Sequence, residues 1–202
     1  MSKVVVLDYK AGNLTSVVKA LTHLGAVSTV TADPALLGDA ERIVLPGVGH
    51  FHATELLNQT GLTAAIRAAI AKGIPFLGIC VGLQWLFEGS TEAPETAGLG
   101  AFAGSCERFP QGIRVPHVGW NSIEVNPDSR LLKGVADGSY VYYTHSYRAP
   151  VVKETVAVTN YGGAFTGAVE RGNLMGLQFH PEKSGNTGLT MLRNFLAMER
   201  SC

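Results

Sequence analysis

The sequence lacks the features that mark several large classes of protein. Its 16 basic and 16 acidic residues cancel, so no excess of positive charge predicts binding to nucleic acid or to an anionic membrane surface. The longest apolar stretch, residues 74–87, is interrupted by glycine and glutamine and is too short to cross a bilayer. No signal-peptide pattern precedes the first apolar segment. These absences predict a cytoplasmic protein that binds neither nucleic acid nor membrane.

Cysteine is scarce as well. The three cysteines form no CxxC pair and no disulfide framework, so we expect reduced thiols. Cys106 lies in a short strand-like segment and Cys202 near a chain end, and neither is expected to be functional. His50 and His52 have the spacing of paired metal ligands, but no third ligand follows at a useful distance. We therefore expect no metal ion and no cofactor.

What the chain does contain is typical of a well-buried α/β protein, with 46% hydrophobic and 16% charged residues. No repeat, low-complexity tract or long linker divides it, so we expect a single domain over residues 1–202. Helical patterns alternate in the first half with apolar runs, which are residues 4–7, 26–31, 42–45 and 74–79. The second half has mostly short strand-like segments, among them residues 113–118 and 140–147. This order predicts an open, mostly parallel twisted sheet with helices on both faces, plus an antiparallel strand-rich annex.

Residues 78–82, GICVG, place Cys80 between two glycines directly after an apolar strand. This is the form of a nucleophile elbow with sulfur in place of the serine oxygen. A sharp strand-to-helix turn requires small neighbours, and it presents the thiol at the start of the helix over 81–88, where a thiolate is stabilised. The backbone N–H of Val81 is then placed to hold an oxyanion. A small packing cysteine fits the same five residues equally well.

A thiol nucleophile needs a base and a group that orients the base. His180 ends the strand-like run 174–179, Pro181 fixes the turn after it, and Glu182 is close enough to orient the ring. The alternative is that Glu182 only caps the last helix. Residues 45–49, LPGVG, follow another predicted strand, and an N–H near Val48 would be a second oxyanion donor.

Taken together, these motifs resemble the class I (triad) glutamine amidotransferases, whose fold is flavodoxin-like. The resemblance rests on LPGVGHF at 45–51, GICVGLQ at 78–84 and FHPEKS at 179–184. Three further segments narrow it to the glutaminase subunits of imidazole glycerol phosphate synthases, and they are DYKAGNL at 8–14, PHVGWN at 116–121 and YYTHSY at 142–147. The motifs span nearly the whole chain in the family's order.

The resemblance implies that Cys80 attacks the carboxamide of glutamine and forms a thioester. His180 would act as base and then protonate the leaving ammonia, and Glu182 would orient His180. The implied oxyanion positions are Val48, Gly49 and Val81. The implied substrate-binding positions are Gln84, Ser146 and Tyr147, where the family often has threonine in place of Ser146.

The resemblance also implies a partner, a cyclase subunit with a (β/α)₈ barrel that receives the ammonia in a heterodimer. The cyclase converts a phosphoribulosyl-formimino aminoimidazole carboxamide ribotide to imidazole glycerol phosphate and an aminoimidazole carboxamide ribotide. The implied interface residues are Asn13, His117, Trp120, Asn121, Tyr142 and Lys183. Without the resemblance, Trp120 and Tyr142 would be interpreted as core aromatics and Lys183 as a solvated charge.

Three other functions remain open at this point. The same triad could supply another synthase, as in anthranilate or pyridoxal phosphate biosynthesis. A Cys-His-Glu peptidase could use a similar sheet without any partner. A binding domain with an inert Cys80 is the general alternative, because many doubly wound domains only bind ligands. Weak activity without the partner, a family property, would point to a flipped Val48 peptide in the free chain.

Overall fold

The computed structural model describes residues 2–10 and 13–200. The strands in these residues are β1 (Lys3–Leu7), β2 (Val27–Thr31), β3 (Ile43–Gly47), β4 (Phe76–Cys80), β5 (Gly89–Ser90), β6 (Ser105–Arg108), β7 (His117–Ser122), β8 (Glu124–Val125), β9 (Tyr140–His145), β10 (Tyr147–Arg148), β11 (Thr155–Asn160), β12 (Ala164–Arg171) and β13 (Leu174–Leu177). The helices are α1 (Leu14–His23), α2 (Glu55–Gln59), α3 (Leu62–Ala71), α4 (Val81–Trp85) and α5 (Gly185–Leu196). Short 3₁₀ turns cover Pro34–Leu37, Phe51–Thr54 and Pro181–Lys183.

An eight-stranded sheet in the order β2-β1-β3-β4-β13-β12-β11-β8 forms the framework. The first five strands of this order are parallel, and the last three run antiparallel to their neighbours. Two small sheets, β10-β6-β5 and β7-β9, form the annex. The prediction of an open, mostly parallel sheet with helices and a strand-rich annex is confirmed.

The apolar runs explain which strands lie at the centre of the sheet. Every residue of β3, β4 and β13 is buried, as expected for parallel strands that are covered on both faces. The edge strand β2 has no fully buried residue. None of the helices within residues 2–10 and 13–200 has the length and hydrophobicity needed to cross a membrane.

The helix after Cys80 is shorter than predicted, because it ends at Trp85 and not at Glu88. The carbonyls that would continue it accept hydrogen bonds from a later loop. Leu99 N–H donates to the Trp85 carbonyl at 2.5 Å, and Gly100 N–H donates to the Phe87 carbonyl at 2.9 Å. A tertiary contact thus ends this helix, and no local stop signal marks the position.

Other elements differ from the sequence-based expectation by a few residues. The strand expected over 113–118 runs from His117 to Ser122, directly after Pro116, which lacks the N–H that a ladder needs. The strand expected over 140–147 is interrupted at Ser146. The segment 51–59, for which no element was predicted, forms a 3₁₀ turn and α2.

Three glycines allow α4 to pack directly on the sheet. A Cβ atom at Gly78 would collide with the Gly82 carbonyl, and one at Gly82 would collide with the Leu45 carbonyl. A Cβ atom at Gly47 would lie 2.8 Å from the Gly82 nitrogen. Because these obstacles are backbone atoms, they cannot rotate away. The glycines therefore set the distance between the turn at Cys80 and the loop that follows β3.

Gly82→Ala is expected to lower the free energy of unfolding by about 1–3 kcal/mol, as overpacking in a rigid core does. Gly38→Ala is the matched control, because its new methyl would meet only Lys72 Nζ at 3.7 Å in a helical backbone conformation. That control should leave stability unchanged or raise it by up to about 1 kcal/mol. Urea unfolding of both variants measures the difference, and equal stabilities would contradict the close approach.

Candidate active site

Cys80 is the last residue of β4 and directly precedes α4. Its φ of 56° and ψ of −110° lie in a region that L-residues rarely adopt, so the backbone is strained. The residue is 3% exposed and pairs in the sheet with Gly47 at the end of β3. The strand-to-helix turn is therefore as sharp as the GICVG motif predicts. Since α4 has only five residues, its dipole contributes little to the site.

His180 and Glu182 form a buried pair close to the end of β13. His180 Nδ1 lies 2.9 Å from Glu182 Oε1, and both side chains are 1% exposed. Strand β9 holds the backbone around the pair. The His180 N–H donates to the Tyr142 carbonyl at 2.9 Å. The Ser184 hydroxyl accepts from the Tyr142 N–H and donates to the His180 carbonyl at 2.7 Å. Glu182 therefore contacts the histidine and not the start of α5, where no side-chain cap is formed.

The protonation of His180 depends on two neighbours. Burial by itself lowers its pKa, but the adjacent Cys80 sulfur and the Glu182 carboxylate outweigh burial, and the pKa is raised to about 10. The ring nitrogen Nε2 is buried and has no hydrogen-bond partner among the described residues. This arrangement favours a ring that holds a proton next to sulfur, as a base that activates a thiol requires.

A cavity of about 260 Å³ opens at Cys80, whereas the buried His180 and Glu182 do not line its walls. Its walls include all of the expected oxyanion and substrate positions, which are Val48, Gly49, Val81, Gln84, Ser146 and Tyr147. The Val81 N–H is at the first position of α4, where a helix N–H has no intrahelical acceptor. Gly49 has a φ of +91°, which a side chain would disfavour in this loop.

Two polar side chains, one in the cavity wall and one beside the Cys80 sulfur, were missed by sequence reasoning. Glu92 lines the wall, and its Oε2 accepts a hydrogen bond from Phe51 N–H at 2.8 Å. No local pattern distinguishes this glutamate from other surface acids. Gln178 is fully buried, and its Nε2 lies 3.8 Å from Cys80 Sγ. A signal for Gln178 did exist, since it is the polar residue of an apolar strand and alternates onto the same side as His180.

Comparison with known proteins identifies the family. Residues 5–198 match the family described as glutamine amidotransferase class-I. The chain belongs to this family. It is 46% identical over 198 residues to "Imidazole glycerol phosphate synthase subunit HisH" of Moorella thermoacetica, covering 96% of this chain and 94% of the relative. It is 46% identical over 202 residues to "Imidazole glycerol phosphate synthase hisHF, chloroplastic" of Arabidopsis thaliana, covering 96% of this chain and 34% of that longer one.

Solved structures give the same fold at lower identity. The "Structure of PurLQS from Thermotoga maritima" superposes with a TM-score of 0.77 at 20% sequence identity, covering 96% of this chain and 97% of that one. A "Crystal structure of glutamine amidotransferase" superposes with a TM-score of 0.75, also at 20% identity, covering 96% and 98% of the two chains. The amidotransferase fold predicted from the sequence motifs is thereby confirmed.

A buried pair of histidines, His117 on β7 and His145 on β9, adjoins the cavity of this amidotransferase, and His145 lines it. His117 Nδ1 is 3.1 Å from His145 Nε2, and His145 Nδ1 is 2.8 Å from the Tyr147 carbonyl. Burial disfavours the charged rings and lowers the pKa of His117 to about 4 and that of His145 to about 3. Both histidines are therefore neutral at pH 7.

The carbonyl of Tyr147 sets the direction of these hydrogen bonds. A carbonyl only accepts, so His145 carries its proton on Nδ1 and accepts at Nε2. His117 then donates from Nδ1, and its Nε2 faces the Asn121 amide nitrogen at 3.4 Å. His117 also stacks on Tyr161, with ring centroids 4.0 Å apart. The pair thus links β7 to Tyr147, which lines the cavity at Cys80.

The positions expected to face a partner divide between two faces of the β7–β9 sheet. Trp120 is 55% exposed and lies opposite Tyr142 in the strand pair. The Lys183 Nζ lies 5.7 Å from the centroid of the Tyr142 ring. His117 and Asn121 occupy alternate positions of β7, so strand geometry turns them to the other face. His117 is only 4% exposed, and Asn121 donates to the Asn160 carbonyl. The expectation that His117 faces a partner is corrected, because its side chain lies inside the amidotransferase, whereas Asn121 is half-buried and stays a predicted interface residue.

The remaining predicted residues have local roles or lie outside the described residues. Asn13 precedes α1, which packs against the Pro181–Lys183 turn, and its side chain does not cap the helix. His50 Nδ1 accepts from His52 N–H at 3.2 Å, which explains the H-x-H pattern as a turn. Cys106 is fully buried, and burial raises the pKa of its thiol. Cys202 and residues 11–12 of the opening motif lie outside the described residues.

We expect the free energy of unfolding to fall as the pH drops below about 6.5, the ordinary pKa of an unfolded histidine. In the unfolded chain these two histidines then bind protons, whereas in the fold His117 stays neutral until about pH 4 and His145 until about pH 3. His180 stays protonated in the fold because its pKa is raised to about 10, so it contributes a slope of opposite sign down to about pH 5.5 and none below that pH.

His117→Phe keeps a stacking ring and removes one titrating group, so the acid slope should become shallower by up to about 1.4 kcal/mol per pH unit. Urea unfolding between pH 7 and pH 4 measures the slope for the wild-type chain and the variant. His23→Phe, at an exposed position of α1, is the control and should keep the wild-type slope. Parallel curves for wild type and His117→Phe would contradict the neutral pair.

Proposed function

We propose that this chain hydrolyses glutamine to glutamate and ammonia through a thioester on Cys80. The observation that carries the proposal is the meeting of the Cys80 elbow, the His180–Glu182 pair and the cavity between the β3 loop and residues 144–147. A nucleophile, an oriented base and backbone donors at one cavity are the parts that acyl transfer needs. We also propose that residues 1–202 form a single amidotransferase domain.

The reaction would run in two balanced halves. The proton of Cys80 rests on His180, so the sulfur attacks the carboxamide carbon as a thiolate, and a C–S bond forms. The backbone N–H groups of Val81 and of the Val48–Gly49 segment would hold the oxyanion. The C–N bond then breaks, and His180 returns its proton to the leaving ammonia. Water, deprotonated by His180, attacks the thioester, releases glutamate and restores the thiol.

The cavity walls offer matching groups for the rest of the substrate. Both hydrogens of the Gln84 amide point to protein acceptors, the Tyr147 carbonyl at 2.8 Å and Gln178 Oε1 at 3.2 Å. The Gln84 carbonyl oxygen is therefore the part left for a donor on glutamine. Glu92 would attract the α-ammonium group, and the polar backbone of Ser146 and Tyr147 would position the substrate.

We propose a cyclase subunit with a (β/α)₈ barrel as the partner, in a heterodimer that makes imidazole glycerol phosphate and an aminoimidazole carboxamide ribotide for histidine biosynthesis. The names of the relatives at 46% identity support this synthase over other synthases. The Arabidopsis synthase chain extends far beyond the matched part, as a fused partner would require. Free ammonia is lost to water as ammonium, so a direct transfer needs a docked acceptor. We propose a cytoplasmic location, since free thiols such as those of Cys80 and Cys106 suit a reducing compartment.

The exposed face of β7–β9 is the proposed docking surface. Val118, Trp120 and Tyr140 are 56%, 55% and 61% exposed and lie on the same side of this two-stranded sheet. Contiguous exposed apolar side chains of this kind mark interaction sites. A Cys-His-Glu peptidase would have no need for such a face, which favours the synthase over that alternative.

Glutamate release from glutamine should be slow for the free chain and rise steeply when the cyclase subunit and a ligand of the cyclase are added. A Val48 peptide that flips on docking would account for the rise. Cys80→Ala should reduce turnover by about 10⁴-fold or more in both states. Turnover of the free chain at the level of the complex would contradict the gating, and turnover that survives in Cys80→Ala would contradict the nucleophile.

Trp120→Ala should weaken binding to the cyclase by about 10- to 30-fold, because a large exposed aromatic is the usual energetic centre of an interface. Val151→Ala is the matched control, since Val151 is also half-exposed but lies away from the β7–β9 sheet. Titration of each variant with the cyclase by calorimetry measures the dissociation constant. Equal weakening by both substitutions would remove the β7–β9 face as the docking surface.

A further inference from the structure

We propose that Gln178 is a positioning residue that holds the Cys80 sulfur through a hydrogen bond from its side-chain amide, with Gln84 and the Tyr147 carbonyl fixing the orientation of that amide. This inference rests on the proposed function, because it assigns a role in activating the nucleophile. Nothing in the reaction scheme above uses Gln178.

Gln178 is held at the sulfur by the framework sheet. It follows β13 directly, and the last residue of that strand, Leu177, pairs with Ile79 next to the nucleophile. Its backbone N–H donates to the Gly167 carbonyl at 2.8 Å. Its side chain is fully buried, with Nε2 at 3.8 Å from Cys80 Sγ. Burial of an amide without partners is costly, so these contacts are the ones that satisfy it.

The orientation of the Gln178 amide follows from a chain of donors and acceptors. The Tyr147 carbonyl can only accept, so Gln84 presents its nitrogen to it at 2.8 Å. The same nitrogen faces the Gln178 side chain at 3.2 Å, which must therefore present its oxygen. Gln178 is then left with its nitrogen toward Cys80. The sulfur consequently faces an N–H donor and not a carbonyl oxygen.

A donor at this place favours the thiolate over the thiol. In the thiol state the Cys80 S–H reaches the Thr144 carbonyl at 4.0 Å, a contact that only a protonated sulfur can make. The Gln178 amide acts in the opposite sense, because hydrogen bonds to a charged form stabilise that form. It would also offset the repulsion between a thiolate and the Thr144 carbonyl. The alternative is a merely structural role, in which Gln178 fills space between β13 and α4.

The decisive measurement is the pH dependence of Cys80 alkylation by iodoacetamide, followed by mass spectrometry of the peptide that contains Cys80. Gln178→Met keeps the length of the side chain but removes the donor, and it should raise the midpoint pH by about one unit. Gln178→Glu keeps the shape and adds an acceptor, so its midpoint should rise at least as far. Other titratable groups around Cys80 are unchanged in these variants, namely Tyr9, Glu92, His145, His180 and Glu182.

Ser129→Ala is the matched control. It removes a buried donor, the Ser129 hydroxyl at 2.7 Å from Glu170 Oε2, near the opposite end of the parallel strands. This variant should lose stability without moving the midpoint. If Gln178→Met fails to fold, Gln178→Glu, which conserves volume, carries the test. A midpoint equal to that of wild type in either folded Gln178 variant would overturn the positioning role.

Glutaminase assays of the same proteins separate this inference from the proposed function. With the cyclase bound, Gln178→Met should lower kcat by about tenfold and recover part of that loss as the pH is raised. A loss of kcat that is the same at every pH would overturn the role in thiolate formation. If the wild-type complex released no glutamate while the alkylation midpoint still rose in Gln178→Met, the contact to sulfur would stand and the proposed function would fail.

Discussion

The close approach of α4 to strands β3 and β4 is the constraint on which the site depends. Gly47, Gly78 and Gly82 bring no side chain of their own to this contact, and Cys80 adopts a strained backbone conformation beside it. The strain turns the sulfur away from the sheet, toward the edge where parallel strands end together. The β3 loop, the residues after β13 and the end of β9 converge at that edge, so one tight contact brings all parts of the site within reach.

A second organising point is the Tyr147 carbonyl, which two buried hydrogen-bond chains share. One chain comes from β7 through His117 and His145, and the other connects the carbonyl to Cys80 through Gln84 and Gln178. Because a carbonyl can only accept, it fixes the proton positions and amide orientations on both sides. The neutral histidines are part of this order, since a second proton on either ring would place two donors face to face.

The geometry of β9 relates the exposed apolar face to the site. Successive residues of a strand point to opposite sides, so Tyr142 lies beside Trp120 on the outer face and Tyr143 and His145 lie inside. The same strand ends at His145, which lines the cavity together with Ser146. A partner on the outer face would therefore lie one strand away from the residues that line the cavity. This short separation suits an enzyme whose product must pass directly to another subunit.

The sequence by itself determined the strand–helix alternation, the Cys80 turn and the His180–Glu182 pair, because these depend on neighbours within a few residues. It did not reveal the early end of α4, which is set by hydrogen bonds from residues 98–102. It did not reveal that His117 is buried, since the packing of β7 depends on its pairing with β9. Only the tertiary structure placed Glu92 in the cavity wall and Gln178 beside Cys80, because their partners lie far away in the chain and folding alone brings them together.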